Sequence, residues 1–185
     1  MEVALIGQMT ILRSVTADDA EFIADLRSNS RVNKYLSSSK PINLEEQLAW
    51  LNQYLMERDG FYFIIERKMD SKKIGTISIY NFDETNKRAE FGRYISTDPL
   101  CAIESEHILL QFAFNVLKLN MLYCRTAELN NKVWKQHISF GFNDIGFEPL
   151  VDKNHLLRLQ EITRCTFDKF DYSVIVNIIK RFNRQ

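Results

Sequence analysis

Between Phe61 and Ala127 the spacing of apolar residues switches from a period of two to a helical period and back again. Phe61-Tyr62-Phe63-Ile64-Ile65 is rich in strand formers. Lys73–Tyr80 alternates, with Ile74, Thr76, Ser78 and Tyr80 on one face and Gly75, Ile77 and Ile79 on the other. Asp83-Glu84-Thr85-Asn86 reads as a turn and Ala89–Ser96 as the next strand, so the three runs form an antiparallel meander. Glu104–Lys118 then carries Ile108, Leu109, Phe112 and Val116 at helical spacing, and Leu122–Ala127 returns to a strand. A strand–helix–strand crossover brings its two strands together in parallel. A meander joined to such a unit predicts a mixed, mostly antiparallel sheet with flanking helices, an α+β fold.

Shorter signals fill in the rest. Met9–Ser14 reads as a strand, and Thr16-Ala17-Asp18-Asp19 as a capping box leading into a helix with Phe22, Ile23 and Leu26 inside. A short helix is expected near Arg31–Leu36. Asn43, with Glu46 three residues on, caps a helix whose Leu44, Leu48, Leu51 and Leu55 form one stripe. Asn130 or Asn131 starts a helix that reaches about Ser139, and Gly141 ends it as a left-handed cap. Phe142–Glu148 and a segment around Tyr172–Ile178 are the last strand candidates.

The chain has 185 residues, no internal repeat and no Pro/Gly/Ser linker, so residues 1–185 are expected to form one domain. Lys+Arg and Asp+Glu number 24 each, which gives no general pull toward nucleic acid or an anionic membrane. No apolar run approaches the roughly 20 residues of a membrane span. Met1-Glu2-Val3 opens with an acid rather than a basic region, against a signal peptide. Cys101, Cys124 and Cys165 are too scattered for a zinc site or a disulfide framework. The expectation is a cytoplasmic, metal-free domain with neither nucleic acid nor membrane as partner.

The informative stretch is Leu122–Phe142, a strand feeding an Asn-capped helix that stops at Gly-Phe. Its spacing resembles the GCN5-related N-acetyltransferases, whose usual pattern is Asn-x-x-Ala-x-x-x-Tyr-x-x-x-Gly-Phe; here Asn130, Val133, His137, Gly141 and Phe142 fill it. Other segments match in order. Ile11–Ala20 resembles the opening strand and helix of the ribosomal-protein-acetylating branch. Asp25–Asn29 followed by Asn33-Lys34-Tyr35 resembles its acceptor-side helices, and Ile74–Ile77 and Ala89–Gly92 its central strands. The compact length and the Asp25–Tyr35 segment also resemble a branch that acetylates 4-amino sugars on nucleotide carriers.

The resemblance implies an opening between the strands at 90–96 and 122–127 in which the pantetheine of acetyl-CoA lies, bound by the backbone of Tyr94, Ile95 and Ser96. It places the pyrophosphate on the N-terminus of the next helix, expected near Ala102–Glu104, with Cys101, Ala102, Ile103 and Ser105 as its donors. The usual glycine-rich loop is missing there: Asp98-Pro99-Leu100-Cys101 has neither glycine nor base, and Glu104 and Glu106 put like charge close by. Asn130 is expected on the pantetheine amide or simply as a cap. Lys132 and Lys135 meet the 3′-phosphate or form a solvated face. No metal is implied.

An amine attacks a thioester directly, so the protein supplies position, an oxyanion donor and proton handling. His137 stands where the family usually has the Tyr that protonates the leaving thiolate; the alternative is a satisfied helix histidine. Arg125 takes the place of a strand Glu, which leaves Glu90 and Glu128 as base candidates, against a strand carboxylate paired with Arg88 or Arg93 and a helix-entry acid. Arg125 could bind an anionic acceptor, and Arg27, Asn29 and Tyr35 are the other acceptor-side residues the resemblance implies. Trp50 with Tyr54, and Phe61-Tyr62-Phe63, either line an acceptor pocket or belong to the core. The function implied is transfer of an acetyl group from acetyl-CoA to a primary amine, on a nucleotide-linked amino sugar or another small molecule. A protein N-terminal amine and a catalytically silent acyl-CoA-fold module are the alternatives. Dimers are common in folds of this kind.

Overall fold

The computed structural model describes residues 3–36, 43–57, 59–150 and 155–183. A hairpin of β1 (Ala4–Ile6) and β2 (Thr10–Ser14) is followed by α1 (Ala20–Ser28), α2 (Ser30–Asn33) and α3 (Leu44–Glu57). The meander is β3 (Gly60–Arg67), β4 (Lys72–Asp83) and β5 (Arg88–Ser96). The crossover is α4 (Pro99–Gln111), running into a π-helical turn over Phe112–Val116, and β6 (Met121–Ala127). Then come α5 (Asn131–Ser139), the hairpin β7 (Asn143–Leu150) and β8 (His155–Thr163), α6 (Arg164–Lys169) and α7 (Ser173–Phe182).

The described strands form one sheet in the order β1-β2-β3-β4-β5-β6-β8-β7. The β5–β6 pair is parallel and every other pair antiparallel, which is the mixed sheet the crossover predicts. The side chains of Tyr62 and Ile64 pack on one face against Val15, Ala20, Ile23, Leu51 and Tyr54, which brings α1 and α3 onto that side. Their neighbours in the strand, Phe63 and Ile65, join Ile77, Ile79, Phe91, Leu109, Phe114, Ile175 and Ile179 in the larger core under α4 and α7. The capping box is present, and Asp19 does more than cap: it also binds Arg13 and Lys73, fixing the start of α1 to β2 and β4.

Two local expectations fail and one strand was missed. Tyr172–Ile178 is not a strand: Ser173–Phe182 is α7, because Ile175 and Ile179, one turn apart, are the residues that find the core. The true partner strand is β8, whose buried Gln160 breaks the apolar alternation that a strand reading relies on. The helix after β5 begins at Pro99, capped by Asp98, several residues before Ala102–Glu104. Gly141 meets its expectation, with φ +94° and the Phe170 ring 2.8 Å from where a Cβ would lie.

The feature that positions the site is where β5 and β6 part. They pair only through Arg88–Met121, Ala89–Leu122 and Glu90–Tyr123. Beyond that β5 stays on β4 as far as Ser96–Gly75, and β6 stays on β8 as far as Ala127–Leu157. The divergence coincides with a bulge: Ser78 faces Gly92 but Thr76 faces Ile95, so Arg93 and Tyr94 oppose one residue of β4. Arg93 adopts φ +48°, the left-handed region, as a bulge residue can. A bulge bends its strand, and here it accompanies the turn of β5 away from β6.

Candidate active site

Among the described residues the edge of β5 beyond Glu90 has no strand paired to it on the β6 side, so Tyr94, Ile95 and Ser96 lie on that open edge. The Tyr94 hydroxyl donates to the Ala102 carbonyl at 2.7 Å and accepts from Gln136 Nε2 at 2.7 Å, tying β5 to α4 and α5. Burial, and then the nearby Glu106, push this phenol well above its ordinary value, so it keeps its proton. The two buried thiols behave alike. Cys101 is pushed up to about 12 by burial and then Asp98, and Cys124 well above its usual value by burial and then Glu106. Neither is a nucleophile at neutral pH, which fits direct attack by the acceptor better than an acyl-cysteine.

At the phosphate end the expected donors are already engaged. Asp98 Oδ1 accepts from the amides of Leu100 and Cys101 at 3.0 and 3.1 Å, its carbonyl accepts from Ala102 N, and Pro99 has no N–H. Ser105 is buried and donates to the Cys101 carbonyl. Cys101, Ala102 and Ser105 are therefore not offered to a phosphate, and Ile103 lies one turn inside the helix. Nor do Glu104 and Glu106 face the slot. Glu104 turns to the β1–β2 hairpin and Glu106 to α5. The like charge at this end is that of Asp98, which pairs with Arg67 at 3.1 Å. Glycine at an N-cap costs only a few tenths of a kcal/mol. Asp98→Gly should thus leave the fold intact, expose two helix-end amides and tighten CoA about tenfold, close to 1.4 kcal/mol, in calorimetric titration. Weaker binding would show that the phosphates do not approach this end of α4.

On α5, Asn130 stands at the N-cap position but makes no side-chain capping bond, unlike the simple cap that was one expectation. Lys132 and Lys135 are exposed, the latter 5.4 Å from the Trp134 ring centre. His137 is buried, in contact with the rings of Phe91 and Phe142 at 5.0 and 5.2 Å and with Tyr94 at 6.1 Å. Its Nδ1 sits 2.8 Å from Glu106 Oε1, while Gln136 Nε2 donates to Glu106 Oε2 at 2.7 Å. No Lys or Arg among the described residues is paired with Glu106, so its polar partners are His137 and Gln136. Glu106 and Gln136 were not foreseen; their partners lie on other elements, and no local pattern marks them.

The opposite face of the sheet holds a cavity of about 420 Å³ lined by Glu90, Arg125, Tyr123, Asn81 and Glu148. Glu90 is not the base that was expected. Its oxygens accept from the Tyr80 hydroxyl, from Asn81 Nδ2, and from Nε and Nη2 of Arg125 at 3.0 Å each. Both oxygens are thus occupied by donors, two of them on the Arg125 guanidinium, rather than turned toward an incoming amine. Its partner is Arg125 rather than Arg88 or Arg93. Arg125 also reaches Glu148 at 3.5 Å, and the Glu90 hydrogen bonds raise its own value further. Glu128 pairs with Arg158 at 3.6 Å, away from the cavity lining. Asn29 spends its carbonyl on Arg31 N as the cap of α2, and Tyr35 lies under the Lys34 ammonium, so neither joins the cavity. Arg27 lies on α1 on the cavity side of the sheet, and Arg93 and Tyr80, also on this side, went unrecognised in the sequence.

Among the described residues no helix is long and apolar enough to cross a membrane, and no cluster of His, Cys, Asp and Glu is placed to hold a metal. The fold has solved counterparts. Apo FdhC, a nucleotide-linked sugar GNAT, is 25% identical and superposes with a TM-score of 0.78 over 97% of this chain and 99% of its own. The spermidine N-acetyltransferase of Vibrio cholerae, solved with CoA and spermine, is 18% identical, with a TM-score of 0.77 over 88% of this chain and 100% of its own. The uncharacterized N-acetyltransferase YoaA of Bacillus subtilis (strain 168) is 31% identical over 85 residues, 44% of this chain and 48% of that protein, so the match spans about half of the relative's length. Residues 10–143 match the acetyltransferase (GNAT) domain as a family. With β5 and β6 parting after Glu90 and the Asn130–Phe142 motif beside the gap, the chain belongs to the GCN5-related N-acetyltransferases.

Proposed function

We propose that the protein transfers the acetyl group of acetyl-CoA to the primary amine of a small molecule, and that this acceptor is a nucleotide-linked amino sugar. The observation that carries the transfer is the unpaired edge of β5 opposite β6, with a polar cavity on one face of the sheet and the His137–Glu106 pair on the other side. The acceptor class is supported by the likeness to a nucleotide-linked sugar GNAT over nearly the whole of both chains, and by the arginines on the cavity face.

Backbone amides of β5 beyond Glu90 hold the thioester and polarise its carbonyl. The neutral amine enters from the cavity, where Glu90 and Arg125 fix each other and shape the wall. Its nitrogen forms the C–N bond, the C–S bond breaks, and the departing thiolate takes a proton from His137. The Nδ1 contact with Glu106 fixes the imidazole and leaves Nε2 as the nitrogen that exchanges this proton. The proton released by the acceptor nitrogen leaves through cavity water, since both candidate carboxylates, Glu90 and Glu128, are bound to arginine.

Thiol release from acetyl-CoA in the presence of nucleotide-linked amino sugars, free amino sugars, polyamines and peptides tests this reading. The nucleotide-linked amine should be preferred by at least tenfold in kcat/KM. Release with peptides alone would replace this acceptor by a protein amine, and failure to bind acetyl-CoA would make the chain a silent member of the family.

A further inference from the structure

On the cavity side of the sheet are two guanidinium groups that pair with no carboxylate among the described residues. Arg93 projects from the bulge over aromatic rings: its Cζ is 4.0 Å from the centre of Tyr80, 5.1 Å from Trp50 and 5.5 Å from Tyr62. Its hydrogen bond is to the Ser78 hydroxyl at 3.3 Å, and it takes part in no ion pair among the described residues. Arg27, on the last turn of α1, faces the same group. Its Nε is sealed from solvent with no partner, and it too has no carboxylate among the described residues. Burial lowers its value; Tyr62 beside it acts to raise it, and Arg93 acts to lower it again, so Arg27 lies within the field of both. Gln47, 1% exposed, has both amide atoms without a partner among the described residues. It shares a face of α3 with Trp50 and Tyr54, at i, i+3 and i+7.

Rings alone are a poor answer to two partly desolvated cations. Cation–π contacts give about 0.5–2 kcal/mol each, whereas leaving a buried charge without a counter-ion costs several. Arginines compensated in this fold look different: Arg13 holds Asp19 and Glu66, and Arg125 holds Glu90. An arrangement of two arginines, a buried amide and a ring edge is electrostatically complete only when an anion joins it. Arginine forks match phosphate oxygens bidentately.

We propose that Arg27 and Arg93, with Gln47 and the Trp50 ring, are the subsite that takes the phosphate groups of the acceptor. This deepens the acceptor assignment above and rests on it for the amine, though not for the anion. It also makes the site hostile to polyamines, since Arg27 and Arg93 would repel a polycation entering from this side.

Isothermal titration of protein saturated with CoA, so that the cofactor slot is blocked, tests the site with UDP, inorganic pyrophosphate and glutarate. UDP and pyrophosphate should bind, and Arg27→Met and Arg93→Met should each weaken them at least tenfold. Arg27→Met should melt no lower than the parent chain without ligand, because a desolvated charge with no partner is removed. It should lose the ligand-induced rise in melting temperature. Phosphates that bind equally well to both variants, or do not bind at all, overturn the subsite. Arg-dependent binding of glutarate alone overturns its phosphate character. If the subsite fails while nucleotide-linked amines still release thiol, the acetyltransferase reading survives. If no amine releases thiol but UDP binding depends on Arg27, the subsite stands and that reading falls.

Discussion

Glu104→Ala should cost the protein about 3–5 kcal/mol, a large part of the 5–15 kcal/mol typical of a domain. The Glu104 carboxylate accepts from the amides of Gln8, Met9 and Thr10 at 2.7, 2.8 and 2.7 Å, and from the Thr10 hydroxyl at 2.7 Å. It thus replaces a whole turn of backbone partners for the β1–β2 hairpin and ties that hairpin to α4. Alanine leaves these donors without an acceptor, and Thr10 is fully buried. Each stranded donor costs about 1–3 kcal/mol, less where water can reach it. The approach needs Gly7: a Cβ there would come within 2.7 Å of the Glu104 carboxyl carbon and 2.5 Å of Ile108. Urea denaturation checks the prediction. A midpoint close to that of the parent chain would mean the hairpin does not depend on this carboxylate. CoA affinity should stay unchanged under conditions where the variant is folded, because the side chain points away from the slot.

The second large effect is on turnover. His137→Phe should lower kcat by about 10²- to 10³-fold, the usual contribution of a general acid, while CoA binds within a factor of two. Phenylalanine preserves the contacts with Phe91 and Phe142 but cannot hold or deliver a proton. It also strands Glu106, whose buried carboxylate then keeps only Gln136, so the variant should be less stable. Glu106→Gln separates the two roles: it keeps the ring in place through a neutral hydrogen bond while removing the carboxylate beside Nδ1. Turnover should fall in this variant as well, with a changed pH dependence. If both variants melt lower yet retain the parent kcat at every pH, His137 is a core residue and the thiolate finds its proton elsewhere.

Periodicity was enough for the meander and the crossover. The alternation of Lys73–Tyr80 and the helical stripe of Glu104–Lys118 appear as β4 and α4, and the crossover yields the one parallel pair. Gly141 could be read because a left-handed cap followed by Phe is a local requirement. Reading failed where the deciding partner was distant. Val174-Ile175-Val176 has strand composition, yet the core it can reach accepts one helical face. The carboxylates show the same division. Glu90, Glu104 and Glu106 were all visible in the sequence, but each owes its character to partners about 30 to 95 residues away: Arg125, the β1–β2 turn and His137.

Spacing along the chain determined the central strands and the crossover helix, because periodicity is a property of neighbours, and the resemblance carried by the Asn130–Phe142 motif added the expectation of a gap beside them. Only the tertiary structure decided that Asp98 caps α4, that Glu90 is held by Arg125, and that Arg27 and Arg93 pair with no carboxylate among the described residues. Charge is settled by what lies within a few ångströms in space, and folding alone brings those groups together.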